Sequence, residues 1–401
     1  MSSDRRHVIV GGAGVAGLEV ALALRELARD AVSVELVSPE REFVYRPSAV
    51  AEPFRVGEVR RFPLQALVRA TGAALRNGSV AGLDAEKKLV RLADGAEARY
   101  DVLVLALGAR PREAIPGALT FRGVDDAGAI RALLDRATAG ELKRIVFAVP
   151  AAATWPLPLY ELALLTNAYL ADRFTRGVEI TVVTPEERPL ALFGPAPSEK
   201  IRTLLEIRDV ELVTGTVGLA WEDGLLELAG RAAIPADAVV ALPRLEGPPI
   251  AGLPQDENGF VASDEFGRVA GLTDVYAAGD LTRSSIKQGG IAAQQADAVA
   301  SAIAADSGAL VRPEAPRPVL RGLLLTGLSP QFLRGEGGGR SSAVDTQPLW
   351  WPPAKIVGRY LSPFLAAHLG LTTTLAEPPH ADAVEIQVAL DKGDHSAWSK
   401  V

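Results

Sequence analysis

The 401-residue chain contains no cysteine, which excludes disulfide scaffolds, thiolate nucleophiles, thiolate metal sites and dithiol redox relays. Histidine is nearly absent too. His7, His368, His380 and His395 are the only four, so the long body between the first two holds no imidazole for a triad or a zinc site. No metal site is expected. No uncharged apolar run is long enough to span a bilayer. The first apolar run, from Val8, leads directly into a glycine-rich turn and lacks a cleavable signal pattern, so the expected compartment is the cytoplasm. An excess of basic charge is also missing: 49 acids against 42 bases leave a net charge of -7, which argues against a nucleic-acid partner. What remains, 48% hydrophobic and 23% charged, describes a globular protein long enough for about two to three domains.

The chemistry begins at the N-terminus. His7-Val8-Ile9-Val10 reads as a buried strand, Gly11 to Gly17 as a turn and Leu18 to Leu27 as a helix. Gly12, Gly14 and Gly17, with Ala13 and Val15 between them, fit the dinucleotide fingerprint. Gly12 permits the tight turn, Gly14 lets the backbone approach a pyrophosphate, and Gly17 lets the helix lie close to the strand. The helix start then offers free N–H groups and partial positive charge to phosphates. A second strand, Val32 to Val37, follows at the right distance. It ends in Ser38, where an acid commonly meets the ribose hydroxyls; Glu40 is the candidate replacement. Much later, Val275-Tyr276-Ala277-Ala278-Gly279-Asp280 reads as a strand ending beside an acid that suits a polyol. Ile286-Lys287-Gln288-Gly289-Gly290 then opens an alanine-rich helix whose N–H groups could face a carbonyl that becomes anionic.

Taken together, Gly12-x-Gly14-x-x-Gly17, Leu105-Ala106-Leu107-Gly108-Ala109-Arg110-Pro111 and Val275 to Asp280 resemble the three FAD signatures of flavoproteins with two dinucleotide-binding domains, over about residues 5 to 305. The resemblance implies non-covalent FAD, with Asp280 on its ribityl or pyrophosphate region and Lys287 to Gly290 near the flavin's pyrimidine edge. Within that superfamily the chain is most similar to the branch of sulfide:quinone oxidoreductases, flavocytochrome c sulfide dehydrogenases and type II NADH dehydrogenases. Phe43-Val44-Tyr45-Arg46-Pro47-Ser48 resembles that branch's aromatic-x-aromatic-x-Pro segment, which adds Arg46 to the cofactor-binding residues. Val80 falls where the family's backbone meets the adenine.

The middle of the chain departs from the pattern. Arg144 to Val149 reads as a first strand, Tyr160 to Leu170 as a helix and Val178 to Thr184 as a second strand, but no glycine occurs between Gly140 and Gly177. The connecting loop, Pro150 to Leu159, contains Pro150, Pro156 and Pro158, and its Cβ atoms and rigid rings would keep a pyrophosphate away. This region reads as a Rossmann unit without ordinary NAD(P) binding. In sulfide-oxidising relatives a redox cysteine is carried by this loop; here Thr154-Trp155-Pro156 stand nearby, and a cysteine persulfide cannot form. Trp155 is either a core or interface aromatic or a wall of the substrate pocket over the flavin.

At the C-terminal end, Pro313 to Pro318 reads as a linker and Gly335 to Arg340 as a mobile stretch. Ala354 to Leu369 repeats apolar residues at helical spacing, interrupted by Pro363, and three of the five tryptophans fall in the last 52 residues. The segment is expected to be a cap, a homodimer contact or a peripheral membrane contact reaching a quinone. His368 is expected to be a surface or packing histidine.

The expected fold is α/β: two Rossmann-like dinucleotide-binding domains plus a C-terminal cap. The FAD-binding domain takes 1–120 and 246–310, the degenerate NAD(P)-type domain 121–245, and the cap 311–401. The expected activity is that of an FAD-dependent oxidoreductase of the sulfide:quinone-reductase-like group, passing electrons to a small molecule, a quinone or a protein. The alternatives are an NAD(P)H-dependent flavin reductase and a non-catalytic flavin- or partner-binding protein. Lys287 and Trp155 are the candidate catalytic residues.

Overall fold

In the computed structural model the described residues are 5–371, apart from 152, 314 and 337–340. Seven α-helices are found among them: α1 (Val15–Leu27), α2 (Leu64–Thr71), α3 (Ala127–Thr138), α4 (Leu157–Asp172), α5 (Pro195–Ile207), α6 (Gly289–Asp306) and α7 (Leu361–His368).

Two five-stranded sheets repeat one topology. In the first, the order is Val275–Ala277, Val102–Leu105, Arg6–Gly11, Val32–Ser38, Ala74–Asn77, all parallel. In the second it is Leu119–Thr120, Ala238–Ala241, Arg144–Ala148, Glu179–Val183, Val210–Val213, again all parallel. Both sheets are covered by helices, which is why their central strands are continuous apolar runs; Val8, Ile9 and Val10 are wholly buried, as are Ile145, Phe147 and Ala148 to within 1%. Each sheet also carries a three-stranded antiparallel ribbon, at Val80–Asp84, Leu89–Leu92 and Glu97–Arg99 in the first and at Gly218–Glu222, Leu225–Leu228 and Arg231–Pro235 in the second. The chain passes between the two units through Arg110–Arg112, paired antiparallel with Arg244–Glu246.

The first sheet draws its edge strand and α6 from the far side of the second unit. Small side chains make this possible. Ala292, Ala296, Ala300 and Ala304 of α6 are buried in the core that also holds α1, so the two helices lie close together over the sheet.

The C-terminal region differs from its expected form. Val319–Leu324, Gln331–Glu336 and Ser341–Asp345 form an antiparallel sheet, so Gly335 and Glu336 end a strand and are not a mobile stretch; 337–340 lie outside the described residues. Nor is Ala354–Tyr360 helical. Its apolar repeat packs, but its backbone groups are taken by other parts of the chain: Ile356 N–H donates to the Tyr45 hydroxyl at 2.8 Å, and Tyr360 and Leu361 N–H donate to the Glu19 carboxylate at 2.8 and 2.7 Å. The helix therefore starts at Leu361, with Glu19 satisfying its first donors and Pro363 inside the first turn, where the missing N–H costs nothing. Ile356, Leu361 and Leu365 join the core of the first unit. His368 is exposed, edge-on to Phe62 at 5.7 Å. His380, His395 and the rest of the C-terminal end lie outside the described residues.

Candidate functional site: a glycine cradle and a charged chamber

The three sequence signatures converge on one turn. Gly12 has φ +96°, and a Cβ there would sit 2.3 Å from the Ala106 carbonyl oxygen; a Cβ on Gly17 would sit 2.0 Å from the Gly12 carbonyl oxygen. These two glycines serve the packing of strand against helix. Gly14 is different. It is exposed, and a Cβ added to it would meet no atom within 4 Å, so the space in front of it is open. It is also the N-cap of α1, with no side chain bonded over the helix start. The result is an open, donor-rich concavity of the kind that takes a pyrophosphate. Ala13 is buried beside it and Val15 is the first residue of α1.

Ala106 N–H donates to the Gly11 carbonyl at 2.8 Å, and Gly108 follows with φ +70°. Gly279 lies against both Ala16 and Ala292, and its N–H donates to Gln295 Oε1 at 2.8 Å. Val80 packs on Gly11. Ser38 is buried, and its hydroxyl accepts from Glu40 N–H at 3.2 Å; Glu40 itself is exposed at the rim. The rim of the cradle thus presents a hydroxyl already engaged and an exposed acid.

Beyond Asp280 lies a chamber of about 290 Å³ between the two units. Arg46, Asp280, Lys287 and Gly289 line one side, Ala153 to Trp155, Leu157 and Glu161 another, and Arg321 to Leu323 with Lys355 a third. The Asp280 carboxylate accepts no hydrogen bond from a described residue. Burial raises its pKa, and the charges of Lys287 and Arg46 act against that rise. Such an acid suits hydroxyl donors of a bound polyol. The open Gly14 concavity and the unengaged Asp280 together fit FAD.

Lys287 is not a solvated residue at a loop end. It is 7% exposed, and its Nζ donates to the carbonyls of Asp280 at 2.9 Å and Thr282 at 2.7 Å while lying 3.7 Å from the Phe260 ring centre. Burial lowers its pKa, and Asp280 and Asp256 oppose the shift. The helix start beside it is only partly free. Gln288 Oε1 caps the Ile291 N–H at 2.9 Å, and Gly289 is pressed against Ile356. Trp155 is half-buried; it packs edge-on to Phe193 at 5.6 Å and lines the chamber.

Several residues of the site were not legible in the sequence. Glu161, 1% exposed, forms an ion pair with Lys355 across 194 residues and also accepts Leu325 N–H at 2.8 Å. Burial raises the Glu161 pKa and lowers that of Lys355, each partner opposing the other's shift. In the second unit Glu186 follows the second strand, the usual place for a ribose-binding acid, but its Oε2 accepts from Tyr160 Oη at 2.8 Å and Thr184 Oγ1 at 3.2 Å. The first turn of α4 contains Pro158 and no side-chain cap.

The parallel sheets, the open glycine turn and the chamber define an FAD-dependent oxidoreductase. A family model described as pyridine nucleotide-disulphide oxidoreductase matches residues 5–296, and the chain belongs to that family. It is 30% identical over 310 residues to "Probable ferredoxin reductase CtmF" of Castellaniella defragrans, covering 70% of this chain and 69% of the relative. It is 25% identical over 260 residues to the sulfide-quinone reductase of Aquifex aeolicus, covering 61% and 60%. The X-ray structure of the sulfide:quinone oxidoreductase from Aquifex aeolicus superposes with a TM-score of 0.76 at 20% identity, over 85% of this chain and 86% of that one. Among the described residues no helix is long and apolar enough to cross a membrane, and no group of three or more metal-ligating side chains is found.

Proposed function

We propose that the protein passes electrons between a small reductant and a quinone or protein acceptor at the chamber, with no cysteine relay and without NAD(P)H as an efficient donor. The observation that carries this reading is the contrast at the two nucleotide turns: Gly14 faces open space, whereas the corresponding loop before α4 is built from Pro150 to Pro158 and the Glu186 carboxylate is already bonded. A relative named as a ferredoxin reductase supports a protein acceptor, and one named as a sulfide-quinone reductase supports a quinone.

Bound FAD would supply the two-electron chemistry. The chain's residues do the rest. The cradle at Gly12 to Gly17 holds the pyrophosphate and Asp280 takes hydroxyl donors. Trp155, Leu157 and Leu323 exclude water from the chamber. Lys355 Nζ, kept charged by Glu161, holds a proton at the chamber wall. A quinone that takes two electrons also takes two protons, and Lys355 is placed to give one; the neutral amine left beside the Glu161 carboxylate then regains its proton from solvent.

The second unit keeps the full Rossmann strand order, which favours NAD(P)H-dependent reduction as the rival reading. Anaerobic stopped-flow mixing of the FAD-loaded protein with NADH, NADPH and sulfide, followed by addition of a quinone or a ferredoxin, separates the two. Slow, unsaturable bleaching by both nicotinamides is expected. Saturable bleaching at about ten per second would establish the rival.

A further inference from the structure

The segment from Lys355 to Leu361 is a strap across both units, and its hydrogen bonds tie its two ends together. Ser362 Oγ donates to the Ile356 carbonyl at 2.9 Å and accepts from Gly358 N–H at 2.7 Å. At one end Lys355 lines the chamber and pairs with Glu161, and Ile356 presses on Gly289 at the start of α6. At the other end Glu19 takes the Tyr360 and Leu361 N–H groups. Gly358 lies so close to it that a Cβ there would stand 2.5 Å from Glu19 Oε2. A change at the Glu19 end therefore reaches Ile356 and Lys355 through Ser362.

Glu19 is wholly buried, and a second carboxyl stands against it. Asp297, on α6, meets the Glu19 side chain, and its Oδ1 is buried with no hydrogen-bond partner among the described residues. Two carboxyl groups in contact away from water do not both carry charge. Glu19 has N–H donors to hold its charge and Asp297 Oδ1 has none, so the proton belongs on Asp297, where it completes a hydrogen bond to Glu19. Around the pair stand Glu26 of α1 and Arg359 and Tyr360 of the strap; Arg359, an exposed residue, is the single cation among them. Burial pushes the Asp297 carboxyl up to about 8, the Glu19 charge adds to the rise, and Arg359 opposes it.

We propose that Glu19 and Asp297 are positioning residues for the chamber wall: one proton shared between them latches the strap and holds Lys355 in place, and loss of that proton opens it. With the proton present, Asp297 donates to Glu19, and Glu19 keeps both N–H groups at the start of α7. When the proton leaves, two buried charges face each other and must be hydrated. The strap is the part that yields, because α1 and α6 are packed on one another in the core. Ile356 then comes away from Gly289, and Lys355 from Glu161. The inference concerns the wall itself and stands whichever donor reduces the flavin.

Hydrogen exchange in the FAD-loaded protein, resolved to the Ile356, Tyr360 and Leu361 amides between pH 5 and 9, tests it. After correction for the intrinsic pH dependence of amide exchange, opening should increase by up to about tenfold per pH unit. It should level off above about pH 8, because the open strap releases a proton that the closed strap holds. Ile356, whose N–H is bonded to Tyr45 and not to Glu19, should follow the other two. All three should exchange before the amides of Val8 to Val10, which marks a local opening. Asp297→Asn, whose amide donates to Glu19 at every pH, should remove the rise and leave the strap protected at pH 9. Should that variant fail to fold, the infrared absorption of a protonated carboxyl in the unmodified protein serves: it should fade toward pH 9 in step with strap exchange. Opening that does not change with pH, the same rise in Asp297→Asn, or no carboxyl band that fades with strap exchange would overturn the shared proton. Ile356 protected while Tyr360 and Leu361 exchange, or all three exchanging only with the core, would overturn the latch on the chamber.

Discussion

The two Rossmann units share a strand order and diverge at the turn after the first strand. In the first unit the turn is glycine and stands open; in the second it is proline-rich, and Ala153 to Trp155 line the chamber. The helices that follow show a further parallel. Glu19 is the fifth residue of α1 and Glu161 the fifth of α4, and both are buried. Each is turned toward the same C-terminal segment: Glu161 pairs with Lys355, and Glu19 caps α7 five residues later. The equivalent position has been used in both units to fasten one strap, with Tyr45 holding Ile356 between them. A unit can thus lose its nucleotide turn and keep the helix position behind it, because the two are held by different forces: close backbone approach in one case, buried charge in the other.

The largest effect is expected at the turn. Gly14→Val should abolish FAD binding while leaving the apoprotein's melting temperature nearly unchanged, because the added side chain projects into open space in the protein but into the path of the pyrophosphate. Gly17→Val should lower both, since its Cβ meets the Gly12 carbonyl. Equal melting losses in the two variants would break the distinction between a packing glycine and a binding glycine.

The strap is next. Glu161→Gln leaves the Lys355 charge buried without its partner and should cost about 3–5 kcal/mol in urea unfolding, with Glu161→Gln/Lys355→Met recovering much of it. Glu19→Gln strips two N–H donors of a carboxylate but strands no cation, and should cost about 1–3 kcal/mol. The reverse order would show that the two fastenings are not of these kinds.

A pH dependence sharpens the same contrast, for only Glu19 has an acidic neighbour. Burial pushes the Asp297 carboxyl of α6 up to about 8, and the Glu19 charge adds to the rise, with Arg359 opposing it. The folded protein then holds a proton that the unfolded chain releases near pH 4. Stability from this group is full below that value and falls as pH rises toward about 8, by at most about 1.4 kcal/mol per pH unit. Asp297→Asn should flatten the slope of unfolding free energy between pH 5 and 8 and should be the more stable protein at pH 9. A slope that survives the substitution would place the proton elsewhere.

Much of the first unit was readable because its evidence is local. Gly12, Gly14 and Gly17 sit within six residues; Gly12 and Gly17 answer backbone contacts that the structure displays, and Gly14 leaves the space in front of it open. The strap was not readable. Apolar spacing over Ala354 to Tyr360 suggests a helix, and only tertiary acceptors, Tyr45 and Glu19, explain why the backbone goes another way. Glu161 and Lys355 are 194 residues apart, so no window of sequence holds both. A weak signal existed: Glu161 is the sole charge among Leu157 to Leu165, and a lone charge in a buried helix needs a partner. The sequence could state that need but not where the partner stood. The antiparallel sheet from Val319 to Asp345 was missed for a similar reason, since its second strand is buried beside the second unit and lacks clean alternation.

The smallest expected effect concerns Lys287, which bears on how the first unit tunes what it binds. Reduction at neutral pH can leave negative charge at the flavin's pyrimidine edge, which faces the start of α6 in the proposed arrangement. Two sources of positive potential are near. The helix start supplies one, reduced because Gln288 already caps the Ile291 N–H. The buried Lys287 ammonium is the other, held by the Asp280 and Thr282 carbonyls. Removing the charge with Lys287→Met should disfavour the reduced state and lower the midpoint potential. A loss of about 1.4 kcal/mol corresponds to about 30 mV for a two-electron couple. The substitution also frees two carbonyls, so FAD content and melting temperature must be measured on the same sample. A potential that falls by tens of millivolts in a protein retaining FAD identifies an electrostatic role. An unchanged potential with weakened FAD binding would instead make Lys287 a clamp on the Gly279 to Thr282 turn, acting on the cofactor only through the position of Asp280.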